Sequence, residues 1–181
     1  MRLLDKAGRI VEDAYVRVAD DVPLPEGVPV LVSAARFRAD PAALARRAAP
    51  VGVIWPNNIN VAELAPHLGR LALVALVFPS FRDGRAYSQA RLLRERYGFR
   101  GELRATGQVL RDQFLFLARA GFDAFEVSKD ADVPAFAAAM TRYSVFYQPA
   151  ADDRLLVARR RPESRRRRRG GRIRRSLSFR P

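Results

Sequence analysis

From Val30 onward, short apolar runs alternate with longer runs of helical period, and this alternation restricts the chain more than any other feature. The apolar runs are Val30–Ser33, Val51–Trp55, Leu71–Phe78, Glu102–Thr106 and Ala124–Val127, with a last one expected at Leu155–Ala158. Between them, helices are expected at Pro41–Ala48, Val61–Leu68, Arg85–Tyr97, Gln108–Ala120 and Val133–Tyr143. A strand such as LALVALVF, apolar on both faces, is built for burial on both sides, which argues for parallel pairing with helices packed outside. The crossovers are then right-handed. Two α/β architectures satisfy the pattern: a partial (βα) barrel and an open doubly wound sheet. The strand Glu102–Thr106 favours the curved form. Its Glu102, Arg104 and Thr106 share one face and Leu103 and Ala105 the other, and a mid-strand Glu and Arg would be costly to bury in a sheet covered on both sides.

Local chemistry supports the helix boundaries. Asp40 before Pro41 is an N-cap followed by proline at the first helical position, and Asn60 before Val61 is a second, with Glu63 three residues on completing a capping-box-like pair. Tyr87, Ala90, Leu93 and Tyr97 recur at helical spacing as a core stripe, as do Leu110, Phe114, Leu117 and Gly121. Arg91, Arg94, Glu95 and Arg96 read as a solvated face with short-range charge pairs. Upstream, Leu3-Leu4 and Ile10-Val11 flank a glycine-containing turn, an edge hairpin. Asp20–Pro29, with Pro23, Pro25, Gly27 and Pro29, reads as an extended connector after which the domain proper begins.

The formal charge of +14 suggests a nucleic-acid partner until it is divided along the chain. Residues 159–181 hold twelve arginines and one glutamate, whereas residues 1–158 hold 21 Lys/Arg against 18 Asp/Glu. The expected organisation is a single α/β domain at 1–158 and a disordered Arg-rich tail at 159–181, too poor in apolar residues to offset its ordering entropy. The chain has no cysteine, which excludes disulfides, thiolate nucleophiles and cysteine-held zinc or iron–sulfur centres. The start, MRLLDKAGRIVEDAY, lacks the apolar region of a secretory signal and no run approaches membrane-span length, so a cytoplasmic location with no membrane partner is expected. Dinucleotide, P-loop and His–Glu metal motifs are absent. His67, the only histidine, has no acidic or hydroxyl companion near it in sequence and reads as a surface or capping residue. No metal site is expected, and the pattern names no cofactor.

In parallel α/β folds, ligands bind where the strand C-termini gather. Here that rim would carry Ser80, Arg82, Asp83, Gly84 and Arg85 after one strand, Thr106, Gly107 and Gln108 after the next, and Ser128 and Lys129 after the third. Gly84 and Gly107 near helix starts, with Arg85, Arg104 and Thr106, would suit a carboxylate, phosphate or oxidised-sulfur group. Asp83 and Glu102 are the candidate acid–base groups. Each has a structural alternative: Asp83 as an N-cap, and Glu102 with Arg104 as a self-satisfying ion pair. The anion site requires consecutive crossovers to bring Asp83, Arg104 and Glu126, or their neighbours, around one opening.

Five linked segments, FPSF at 78–81, DGRAYSQARLLR at 83–94, GELRATG at 101–107, VLRDQ at 109–113 and RAGFDAFE at 119–126, resemble the domain of unknown function 934 family of bacterial proteins. The likeness extends more loosely from Met1 to about Ala158, including YQPAAD at 147–152, and leaves out the Arg tail. Proteins similar to this one are encoded beside components of assimilatory sulfite reductase. The resemblance therefore implies an accessory factor in sulfur assimilation that is oxidoreductase-associated, either docking to sulfite reductase components or binding a small oxyanion. Without cysteine the chain cannot be the catalytic haem and iron–sulfur subunit. The alternatives are an enzyme acting on an anionic small molecule at the strand rim, and nonspecific nucleic-acid binding through the tail alone.

Overall fold

The computed structural model describes residues 1–150 apart from 129, 131, 144 and 148. The expected strand at Leu155–Ala158, the tail at 159–181 and the site candidate Lys129 lie outside the described residues. Eight strands are present: β1 (Arg2–Asp5), β2 (Ile10–Val11), β3 (Val16–Arg17), β4 (Val30–Ser33), β5 (Val51–Trp55), β6 (Leu71–Phe78), β7 (Glu102–Gly107) and β8 (Ala124–Val127). They form one sheet in the order β2-β1-β8-β7-β6-β5-β4-β3. From β3 to β8 the strands are parallel and in chain order, so the winding never reverses and the sheet has no switch point.

A sheet wound in one direction receives all its helices on one face. The expected alternative of two covered faces is thereby excluded, and the sheet curls into a half-barrel. The curl can be read from one ion pair: Arg17 on β3 bonds Glu126 on β8. In a flat sheet those strands would stand five spacings, about 24 Å, apart, farther than two side chains can bridge.

The convex face holds the main core. Val30, Val32, Val53, Trp55, Val74, Leu76, Phe78, Leu103, Ala105 and Phe125 alternate outward along their strands. Against them pack α1 (Ala34–Ala39), α2 (Pro41–Ala45), a 3-10 helix (Val61–His67), α3 (Arg85–Arg91), α4 (Phe114–Arg119) and α5 (Asp132–Thr141). Ala90 and Leu93 of the expected stripe are fully buried, flanked by Tyr87 and Tyr97, and burial pushes the Tyr87 phenol up to about 12. On the concave face a small apolar cluster, Leu31, Leu73 and Ala75, is covered by Tyr15 and Ile54.

Several boundaries differ from expectation for local reasons. Residues 61–67 are 3-10 helical, with Pro66 lacking the donor that an α-turn would use. The helix expected from Gln108 begins at Arg111, first as a 3-10 turn (Arg111–Gln113), because Gln108 N donates to the Phe78 carbonyl and Leu110 is extended. Leu110 accordingly leaves the buried stripe of α4. The run after α3 is a π-turn (Leu92–Arg96), closed by Tyr97 N donating to Leu92 O at 3.0 Å. Asp40 and Asn60 cap as expected, but the Glu63 carboxylate pairs with Arg38 instead of closing a capping box. Helix α1 was not expected; Ser33 at the end of β4 caps it by accepting from Arg36 N. Arg94 does not belong to a solvated face: it donates to the carbonyls of Phe99, Gly101 and Gly121 and pairs with Asp123. Finally, the domain does not start after the proline-rich connector. β1 pairs antiparallel with β8 along its whole length and lies inside the sheet.

Candidate functional site

The concave face of β7 and β8 carries Glu102, Arg104, Thr106 and Glu126, because the strand pairing sets Thr106 beside Glu126 on one side of the pleat. Arg104 is the centre. Its side chain is 1% exposed, and each of its nitrogens meets a carboxylate. Nε donates to Glu102 Oε1 at 2.8 Å, Nη1 to Asp13 Oδ2 at 2.6 Å and to Glu126 Oε1 at 3.4 Å, and Nη2 to Asp13 Oδ1 at 3.0 Å. Asp13 thus faces the guanidinium with both oxygens, the forked geometry that binds most strongly. Glu126 also accepts from the Thr106 hydroxyl at 2.5 Å and pairs with Arg17. The Tyr15 ring lies 5.8 Å from the Arg104 guanidinium carbon, a cation–π contact.

Burial opposes the charges of Asp13 and Arg104, but their pairing overcomes it. Burial favours the neutral form of Asp13, yet hydrogen bonds from Arg104 and the Tyr15 amide hold its carboxyl below the usual carboxylate range. Burial likewise opposes the Arg104 cation, and Asp13 and Glu102 raise its affinity for the proton above the ordinary arginine value. Three carboxylates against two guanidiniums leave the group one charge negative.

Two clefts open on either side of the segment Glu12–Tyr15, which lies between β2 and β3 outside any strand and is called the strap below. One, of about 610 Å³, is lined by Asp13, Arg17 and Glu126; the other, of about 220 Å³, by Tyr15, Glu102 and Arg104. Both clefts border the strap, and Leu3 of β1, Val11 of β2 and Glu12 belong to both walls.

The rim candidates stand elsewhere. Asp83 and Arg85 pair with each other in the turn before α3, the Arg85 Nε at 2.9 Å and Nη2 at 2.6 Å from the Asp83 carboxylate. The Arg85 side chain, aided by its own amide, holds Asp83 well below the usual carboxylate range. Gly84 occupies the N-cap of α3 with no side-chain cap bond, so Asp83 bonds the next amide without being the cap residue itself. Gly107 ends β7 at φ +90°, where a Cβ would run into the Phe78 carbonyl oxygen; its role is a close turn between β7 and β6. The structure therefore joins Glu102, Arg104, Thr106 and Glu126 in one network and sets Asp83, Gly84 and Arg85 in another. Among the described residues no bond links the two.

Asp13, Tyr15 and Arg17 were not foreseen in the site. The only signal in the sequence was a charged and aromatic pattern, Glu12-Asp13-Ala14-Tyr15-Val16-Arg17, in a stretch with no helical or strand period long enough to place it. Among the described residues no three histidine or acidic side chains are gathered to hold a metal ion.

A second surface feature lies where the β6–α3 and β7–α4 connections meet. Gln113 Nε2 donates to the Phe81 carbonyl at 3.2 Å and Gln113 Oε1 accepts from Leu110 N at 3.1 Å, which ties the backbones of the two connections together; Phe116 follows Gln113 by three residues, on α4. Phe81, Leu110 and Phe116 are 52%, 44% and 65% exposed. Arg82 stands over the Phe81 ring at 5.7 Å.

No curated protein matches the chain. The model of a bacterial protein of unknown function (DUF934) matches residues 52–157, more than half of the chain, and covers β6, β7, β8 and both loops of the exposed patch. The protein belongs to this DUF934 family.

Proposed function

We propose that the protein is a cytoplasmic accessory factor in assimilatory sulfite reduction that works by docking to a protein component of the reductase system. The sulfur context comes from the family resemblance and the choice of docking from the surface. The observation that carries it is a set of three large apolar side chains left largely open to water: Phe81 and Leu110 on the two connections joined through Gln113, and Phe116 on the helix that follows. Phe81 and Leu110 sit in the FPSF and VLRDQ segments on which the resemblance rests. The competing oxyanion reading draws less support: Arg85 is closed by Asp83, and Arg104 by three carboxylates, so in this state neither fork is open to a free anion. The enzyme reading meets the same obstacle, since Asp83 is held ionised and Glu102 is tied to Arg104. Among the described residues no helix is long and apolar enough to cross a membrane.

A pull-down against separately purified sulfite reductase components tests the proposal. The unmodified chain should retain one of them, and the double variant Phe81→Ser/Phe116→Ser should lose it by about tenfold or more in Kd, about 1.4 kcal/mol. Unfolding stability should move by less than about 0.5 kcal/mol, as for exposed positions. No binding by the unmodified chain, with unchanged growth on sulfite after gene deletion, would overturn it.

A further inference from the structure

The concave face beneath the strap, called the trough below, carries two unlike surfaces side by side. One is the Arg104 guanidinium; the other is the apolar floor of Leu31, Leu73 and Ala75. Gly52 lets that floor close up, since a Cβ there would stand only 3.0 Å from Leu31 and 3.1 Å from Leu73. Both halves are filled by the strap, with the Asp13 carboxylate forked on Arg104 and the Tyr15 ring on the floor. Asp13 and Tyr15 are two residues apart and joined by a bond from the Tyr15 amide to Asp13 Oδ1 at 3.1 Å, so carboxylate and ring present themselves as one compact unit.

We propose that this trough is a binding site for a small carboxylic acid bearing an aromatic or similarly apolar group, and that the strap occupies it as a built-in competitor. Three observations point this way. First, Glu102 and Glu126 are fixed on strands, whereas Asp13 belongs to a segment with no strand of its own, so Asp13 is the carboxylate that can leave. Second, its departure leaves Arg104 and Arg17 against Glu102 and Glu126, an even balance; an incoming monocarboxylate restores the present charge, whereas a neutral molecule without a matching acceptor leaves Nη2 of Arg104 unpaired and Nη1 with only Glu126 at 3.4 Å. Third, clefts of about 610 Å³ and about 220 Å³ already border the strap, so moving it opens further space beside Arg104 for such an acid. The site is independent of the docking patch, which shares none of these residues.

The probe is 3-(4-hydroxyphenyl)propionate, which joins a carboxylate to the Tyr15 ring, with 2-(4-hydroxyphenyl)ethanol as the uncharged control. Calorimetry on the folded variant Asp13→Ala/Tyr15→Ala should show the acid binding about tenfold or more tightly than the alcohol, with Arg104→Lys in that background reducing the preference because lysine has no fork. The unmodified protein should bind the acid about tenfold or more weakly than the variant, since affinity falls with the fraction of molecules whose strap is open. In the unmodified protein, millimolar acid should also speed amide exchange in residues 12–16. The inference is overturned if the folded variant binds neither probe, if acid and alcohol bind alike, or if the unmodified protein binds as tightly as the variant. Should the variant not fold, unchanged exchange in residues 12–16 of the unmodified protein overturns it equally.

Discussion

At the scale of single residues, Arg104 shows how a buried charge is tolerated only when its surroundings complete it. Replacing it by methionine would take the shared cation from Asp13, Glu102 and Glu126 and leave Arg17 paired with Glu126, and removing one partner of a buried ion group costs roughly 3–5 kcal/mol. Urea denaturation of Arg104→Met should show a loss of that order, while Arg85→Met, in an exposed pair, should lose far less. Asp13 supplies a pH signature. Its folded carboxyl is held below the unfolded value, so its contribution is complete above about pH 4 and is lost as the pH falls through the lower, folded value. Unfolding midpoints measured from neutral pH downward should therefore decline in acid, and Asp13→Asn should decline less steeply. The sequence made the shared face of Glu102, Arg104 and Thr106 legible, because alternation along a strand is a local property. The identity of Arg104's closest partner was not, since Asp13 lies 91 positions away and no periodicity encodes that distance.

At the scale of elements, strands were read more accurately than helices. β4, β5, β6 and β8 begin and end where the apolar runs do, as burial on both faces requires. The helices shortened or changed pitch wherever a backbone group was claimed from outside, as at Pro66 and at Gln108, whose amide goes to Phe78. The run that closes α3 is the clearest case. Arg94 looked like one more charge on a wet helix, yet it is the pin that holds the π-turn to the starts of β7 and β8 through three carbonyls and Asp123. Arg94→Leu should cost about 2 kcal/mol, the scale of hydrogen bonds to a charged group, while its neighbour Arg91, which pairs only with Glu95 on the same helix, should cost about 0.5 kcal/mol or less when changed to alanine. Chemical denaturation of the two variants distinguishes them.

At the scale of the whole molecule, the repeated strand and helix units correctly implied an α/β chain, and the mixed character of β7 correctly favoured curvature over a sheet covered on both faces. What the pattern concealed was the part played by the first eighteen residues, which are too short and too irregular to show a period. Deleting them should uncover the β8 edge and the trough together, and size-exclusion chromatography should then show association of copies instead of a single species.

The pairing of β1 with β8 also bears on the order in which the molecule is assembled during synthesis. β1 finds its hairpin partner β2 at once, but its other neighbour β8 lies at positions 124–127, so that edge must wait until nearly the whole sheet has been made. The middle strands, each finding its neighbour one helix later, can assemble progressively, and the β1–β2 hairpin joins last, as the latch along β8.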